Sequence, residues 1–168
     1  YIPYTFCALA SDGTAPSPAP RARGVYIDDN TSTLHIVDTY TDTLSGTVAL
    51  PTPGYYRTWD VALTPDQAFA FVSDYDARCI WVVDVNRRQM AEGVNAIPVS
   101  TSPTDLEITP DGRFLLVADA TNASAPLSVV EIAARLEVST FTGGGTRNAV
   151  ALGTGGNVFV ADYYGDAV

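Results

Sequence analysis

Short apolar runs alternate along the chain with clusters of proline, aspartate and glycine. The clearest case spans Pro103 to Asp119, where LEIT (106–109) and RFLLVA (113–118) flank Pro110-Asp111-Gly112. Both flanks are rich in β-formers. The three residues between them are turn chemistry: proline presets φ, aspartate caps through its side chain, and glycine accepts positive φ. The pattern predicts two strands joined by a tight turn.

The same pattern recurs. A shift of 45 residues lays Trp59–Asp74 on Thr104–Asp119, and a shift of 43 lays Arg147–Asp162 on the same stretch. Phe6 to Gly13 matches the first strand and turn, and Gly24 to Asp29 the second strand, after a Pro/Ala-rich insertion over 14–23. The first strand aligns Cys7, Val61, Leu106 and Ala149. Third strands are expected at 34–39, 80–85 and 127–132, and fourth strands at 46–50, 96–99 and 137–141. The chain therefore divides into units at about 4–50, 56–99, 103–141 and 146–168, each complete one an antiparallel four-stranded meander. Repetition at this period marks a solenoid, propeller or array.

The second and third strands decide among these. FAFV, FLLV and WVV are apolar on successive residues, as expected where both faces of a sheet are covered. A β-sandwich leaves one face polar, and a β-helix has no need of hairpin turns at this spacing, so sheets stacked radially as propeller blades fit best. Phe71, Val72, Val82, Leu116, Val117, Val129 and Val160 are the expected core.

Composition narrows the picture. At 168 residues, 46% hydrophobic and 17% charged, the chain is globular, and its formal charge of −10 argues against nucleic acid. All nine basic residues are arginine, which excludes a Walker A loop at Thr142–Thr146. No apolar run reaches membrane-helix length. Cys7 and Cys79 fall on strands one and three of different units, too far apart for an expected disulfide. His35 is the lone histidine, so neither a zinc set nor a nucleophile–histidine pair is in view, and no cofactor motif occurs. Asn30 and Asn122 open glycosylation sequons at hairpin tips.

The stretches PTDLEITPDGRFLLVAD followed by LSVVEI, and WDVALTPDQAFAFVSDYDARCIWVVDV, resemble the YVTN-type β-propeller repeats of secreted and surface-layer proteins of bacteria and archaea. Gln67 stands where that pattern has the turn glycine, and unit four has Gly-Thr-Gly-Gly for Pro-Asp-Gly. The resemblance implies a propeller, commonly seven-bladed, in an extracellular, cell-surface or periplasmic setting, and no single activity.

Three to four units are fewer than such a ring needs, so the chain is expected to be part of a longer protein or to be completed by other chains. Candidate chemistry gathers where strand one begins and strand two turns into strand three, an end that collects nine acids: Asp28, Asp29, Asp60, Asp74, Asp76, Asp105, Asp119, Asp162 and Asp166. There Tyr56, Arg57, Asp60, Asp105, Arg147 and Asn148 are the candidate ligand-binding residues. The recurring Asp28, Asp74, Asp119 and Asp162 read more simply as turn caps. Two function classes follow: a non-enzymatic scaffold for protein assembly, or a segment of a propeller enzyme, quinoprotein-like or lactonase-like, working at the acidic mouth.

Overall fold

The computed structural model describes residues 7–9, 22–51, 58–119, 126–141, 147–153 and 156–162. Among these there is no helix, and every strand pair is antiparallel. The first sheet runs β1(Cys7–Leu9), β2(Arg23–Asp28), β3(Thr33–Asp38), β4(Thr43–Ala49), in that order. The second holds β5(Thr58–Leu63), β6(Phe69–Asp74) and β7(Cys79–Asp84), with β8(Gln89–Met90) and β9(Ala96–Pro98) both on the far edge of β7. The third is β10(Asp105–Ile108), β11(Phe114–Ala118), β12(Leu127–Glu131), β13(Leu136–Phe141), and β14(Arg147–Leu152) pairs with β15(Val158–Asp162) in the fourth.

The turns between first and second strands are built alike. Gln67 N–H donates to Thr64 O and Gly112 N–H to Thr109 O, each at 2.7 Å. The Asp66 and Asp111 carboxylates accept from the hydroxyls of Thr64 and Thr109, each at 2.6 Å, and from the backbone N–H groups of Ala68 and Arg113, two residues on. The position that follows the aspartate is left-handed in both, at φ 69 for Gly112 and φ 60 for Gln67. Glutamine bears the cost of that conformation and also accepts a hydrogen bond from Arg23 N–H of the first sheet at 2.8 Å.

One expected strand is divided. The fourth strand of the second sheet, expected at 96–99, comprises β8 and β9 with an excursion over 92–95 between them, which includes Gly93 at φ 76. Val82 spans the break: Ala91 N–H donates to its carbonyl and its own N–H donates to Asn95 O, both at 2.9 Å.

Sheets stack face to face through three cores. Val25, Ile27, Leu34 and Ile36 of the first sheet meet Val61, Leu63, Val72 and Val83 of the second. Phe71, Ile80, Val82 and Ile97 on the second sheet's other face meet Leu106, Leu115, Val117 and Val130 of the third. Leu116, Ala118, Leu127 and Val129 then meet Val150, Leu152 and Val160. Alternate residues of β6 and β11 thus serve opposite neighbours, which explains their unbroken apolar runs. Among the expected core, Val160 differs: it is only partly buried, because the fourth sheet contributes two described strands. Leu116→Ala is expected to cost about 2–5 kcal/mol by cavity formation. Chemical denaturation checks this, and a loss under about 1 kcal/mol would mean the packing between third and fourth sheets is misassigned.

Candidate functional site

The first strands of successive sheets lie side by side, β5 against β10 and β10 against β14. Two of the candidate residues, Asp60 and Asp105, lie on these seams. In β5 the pairing with β6 slips between Thr58 and Val61, a bulge that carries Trp59 and Asp60. Ser73 Oγ accepts from the N–H groups of both residues, at 3.2 and 2.8 Å, so the ladder bonds lost to the bulge are replaced. Bulging re-aims Asp60 at the next sheet, where its Oδ2 accepts from Leu106 N–H at 2.8 Å, while Oδ1 accepts from Val61 N–H at 2.8 Å. Asp105, at the same place one sheet on, accepts from Val150 N–H through Oδ2 at 2.6 Å.

These carboxylates are inter-sheet staples. Their partners are backbone groups 46 and 45 residues away. Burial pushes the Asp60 carboxyl up to about 7, the Asp105 charge adds to the rise, and the Leu106 N–H opposes it. Glu107 is likewise raised, first by burial and then by Asp105.

The other candidates are not brought to this point by any described contact. Tyr56 and Arg57 lie outside the described residues, as do the side chains of Arg147 and Asn148, whose backbone belongs to β14. The pairing of β14 with β15 slips at Asn148, so Val150, not Ala149, stands opposite Val160 and takes the place that Leu106 has opposite Val117. The alignment of Ala149 with Leu106 is therefore corrected by one residue. A bulge leaves no mark in the apolar pattern when its flanks, Ala149 and Val150, are both apolar.

Of the recurring aspartates, Asp28 and Asp74 cap turns, accepting from Asn30 N–H and Ala77 N–H, each at 3.0 Å. Asp119 accepts from Ser102 N–H at 2.9 Å; the residues that follow it, where its turn would lie, are outside the described ones, as is the side chain of Asp162. Cys79 is a free, buried thiol, pushed up to about 12 by burial and then by Asp74.

Among the described residues no group of three or more His, Cys, Asp or Glu could hold a metal ion. Since Asp60 and Asp105 already spend oxygens on backbone N–H groups, Ca²⁺ calorimetry is expected to show nothing tighter than about millimolar. Micromolar affinity abolished by Asp60→Asn or Asp105→Asn would make the pair a cation site instead.

No protein-family model matches the chain, and no curated protein matches it. Solved structures do. Hydrazine synthase of Kuenenia stuttgartiensis aligns over 90% of this chain with a TM-score of 0.73 at 22% identity. A functionally unknown protein from Desulfotomaculum acetoxidans aligns over 77% with a TM-score of 0.65 at 17% identity. The chain spans 39% of the length of each. At these identities the likeness is one of fold, an all-β, propeller-like stacking of antiparallel sheets.

Proposed function

We propose that the chain is a section of a larger β-propeller, of about seven blades, that serves as a scaffold for protein assembly at the bacterial or archaeal cell surface. The observation that carries this is an apolar surface left uncovered beside β15. Glu137 points to the second sheet, accepting from Ser100 N–H and its hydroxyl at 3.0 and 2.6 Å. Alternation along β13 then turns Leu136 to the opposite side, where it is 56% exposed, and Val138, at the register shift of β13 against β12, is 48% exposed. On β15, Phe159 is 52% exposed, whereas Leu116, one repeat earlier, is 5% exposed beneath the fourth sheet. Two more strands on the edge of β15 and a further sheet over Phe159 would cover these side chains, each worth about 1.5–3 kcal/mol when fully buried. The YVTN-type repeat pattern supports the cell-surface setting, and rigid sheets with variable loops suit partner contact.

Native mass spectrometry with sedimentation tests the proposal. The protein is expected to carry additional polypeptide that supplies the missing strands, or to associate through this face. A soluble 17.8 kDa monomer with neither would refute it. The enzyme alternative has one point in its favour, the carboxyl of Asp60 poised near neutrality, which suits a general acid or base. It would be preferred if turnover of a lactone or alcohol by the protein disappeared in Asp60→Asn while the assembly persisted.

A further inference from the structure

A groove of about 360 Å³ opens between the second and third sheets beside the turns of their first strands, with Asp66 and Asp111 exposed at its mouth and Phe69, Phe71 and Ile132 along its walls. The seam before it is built differently. There the Gln67 side chain accepts from Arg23 N–H and the Arg23 guanidinium donates to Asn86 Oδ1, so polar side chains bridge the first and second sheets. One repeat on, the same three places hold Gly112, Phe69 and Ala133, as the shared turn hydrogen bonds and strand pairings fix them. Glycine and alanine leave the gap unfilled, and phenylalanine makes its wall apolar. We propose that this groove is a docking site for a lysine side chain of a partner protein, the stem lying along Phe69 and Ile132 and the ammonium between the carboxylates of Asp66 and Asp111. This deepens the assembly reading, from which it takes the existence of a partner, and names what that partner presents.

The chemistry of the groove fits that occupant. Each carboxylate spends Oδ1 on its own turn, accepting from a threonine hydroxyl and a backbone N–H. The Thr109 hydroxyl and the Arg113 N–H hold the Asp111 carboxyl below the ordinary aspartate range, so it is ionised at neutral pH. Among the described contacts Oδ2 of each aspartate is unspent. Two single oxygens on separate residues suit an ammonium with three donors better than a guanidinium fork, which matches both oxygens of one carboxylate. Lysine also carries the long apolar stem that such walls would cover. Of the neighbouring cations, Arg135 lies over the Phe69 ring with Nη1 donating to the carbonyls of Glu92 and Val94, and Arg113 lies over Phe114 on the face towards the fourth sheet. Two carboxylates against the one guanidinium that lines the groove leave it net negative, in a chain of formal charge −10. All nine basic residues here are arginine, so a lysine must come from another protein.

The test is amide NMR of the protein with short acetylated and amidated peptides, glycine at each end and leucine on either side of a central lysine, leucine or glutamate. The lysine peptide is expected to shift the Phe69, Gly112 and Ala133 resonances and to bind at least about tenfold more tightly than the other two, the worth of about one hydrogen bond to a charged group. Asp111→Asn keeps the turn acceptor and loses the charge, so it should weaken the lysine peptide and leave the leucine peptide unmoved. Gly112→Gln restores the side chain that the preceding seam carries. Gln67 takes the same left-handed backbone, at φ 60 against 69, and the new Cβ would meet Pro65 Cδ at 3.5 Å, an ordinary contact. That variant should abolish the shifts, and Ala133→Asn, at an exposed position outside the turn, should weaken binding without touching the turn. Absence of shifts at millimolar lysine peptide, equal affinity for lysine and leucine, preference for glutamate, or binding unchanged in both Gly112→Gln and Ala133→Asn would each overturn the proposal. None of these variants lies in β13 or β15, so the mass measurement is read separately. A protein that assembles but binds no lysine peptide refutes the groove alone, and a lone monomer that binds it refutes the assembly reading alone.

Discussion

Phe71→Ala is expected to remove about 3–5 kcal/mol of stability, the largest loss of any single truncation in the described core. Phe71 is the bulkiest of the fully buried side chains, at 1% exposure, and it sits in the core between the second and third sheets among Ile80, Val82, Leu115 and Val117. Both flanking backbones are fixed: Phe71 pairs with Ala62 on one side and Val82 on the other. The walls therefore have little freedom to collapse into the vacated volume, which places the cost toward the upper part of the range. Phe71 also lines a groove of about 360 Å³ between the two sheets, with Phe69, Ile132 and Arg135, so truncation would join core and groove. Urea unfolding checks this through the midpoint at unchanged slope. Phe69→Ala is the control. Its ring is only partly buried and lies under the Arg135 guanidinium, 5.3 Å from its centroid, so a smaller loss is expected. Equal losses at both sites, or less than about 1.5 kcal/mol at Phe71, would contradict the placing of Phe71 inside this core and Phe69 at its rim.

Strand positions and the stacking of sheets were legible because both rest on local or periodic signals. Thr-Pro-Asp followed by a left-handed residue specifies its turn within four residues, and unbroken apolar runs such as Phe69–Val72 say that two faces need cover. The seams were legible only as a set of acids. Nothing near Asp60 in sequence shows that its acceptor oxygen meets Leu106 N–H; that contact exists only once two sheets are stacked, and it depends on a bulge that the apolar pattern does not mark. The arginines of the third-to-fourth strand turns were missed for the same reason. Arg88 and Arg135 both take positive φ, 57° and 52°. Each reaches back to the preceding sheet, Arg88 to Ser45 Oγ at 3.2 Å and Arg135 to the carbonyls of Glu92 and Val94 at 2.7 Å. A recurring arginine at that place in successive turns is the signal that could have found them. Sheets are thus tied by carboxylates at one end and guanidinium groups at the other.

Asp74→Ala is expected to cost about 2–4 kcal/mol, a large effect for a residue whose recurrence suggests only a turn cap. At 2% exposure its carboxylate serves two donors: Oδ1 accepts from Ala77 N–H at 3.0 Å and Oδ2 from the Trp81 indole Nε1–H at 3.1 Å. Alanine leaves the part-buried Trp81 N–H without an acceptor, at about 1–3 kcal/mol, and removes the turn hydrogen bond to the exposed Ala77, at about 1 kcal/mol more. The second role is specific to this sheet. One repeat on, Ser128 stands where Trp81 does and supplies no indole N–H, and among its described contacts the Asp119 carboxylate accepts from Ser102 N–H. Asp119→Ala should accordingly leave the Trp81 indole resonance unmoved, whereas Asp74→Ala should shift it and speed its exchange. Cys79 pairs directly with Asp74 across β6 and β7 and is buried, so its modification reports opening of this hairpin. In a Cys7→Ser background, Asp74→Ala should accelerate thiol labelling at least about thirtyfold where opening is in rapid equilibrium, which is the stated loss at about 1.4 kcal/mol per factor of ten. Asp74→Asn retains one carbonyl acceptor and should fall between. Labelling unchanged from wild type in Asp74→Ala would show that neither hydrogen bond holds the strand ends together.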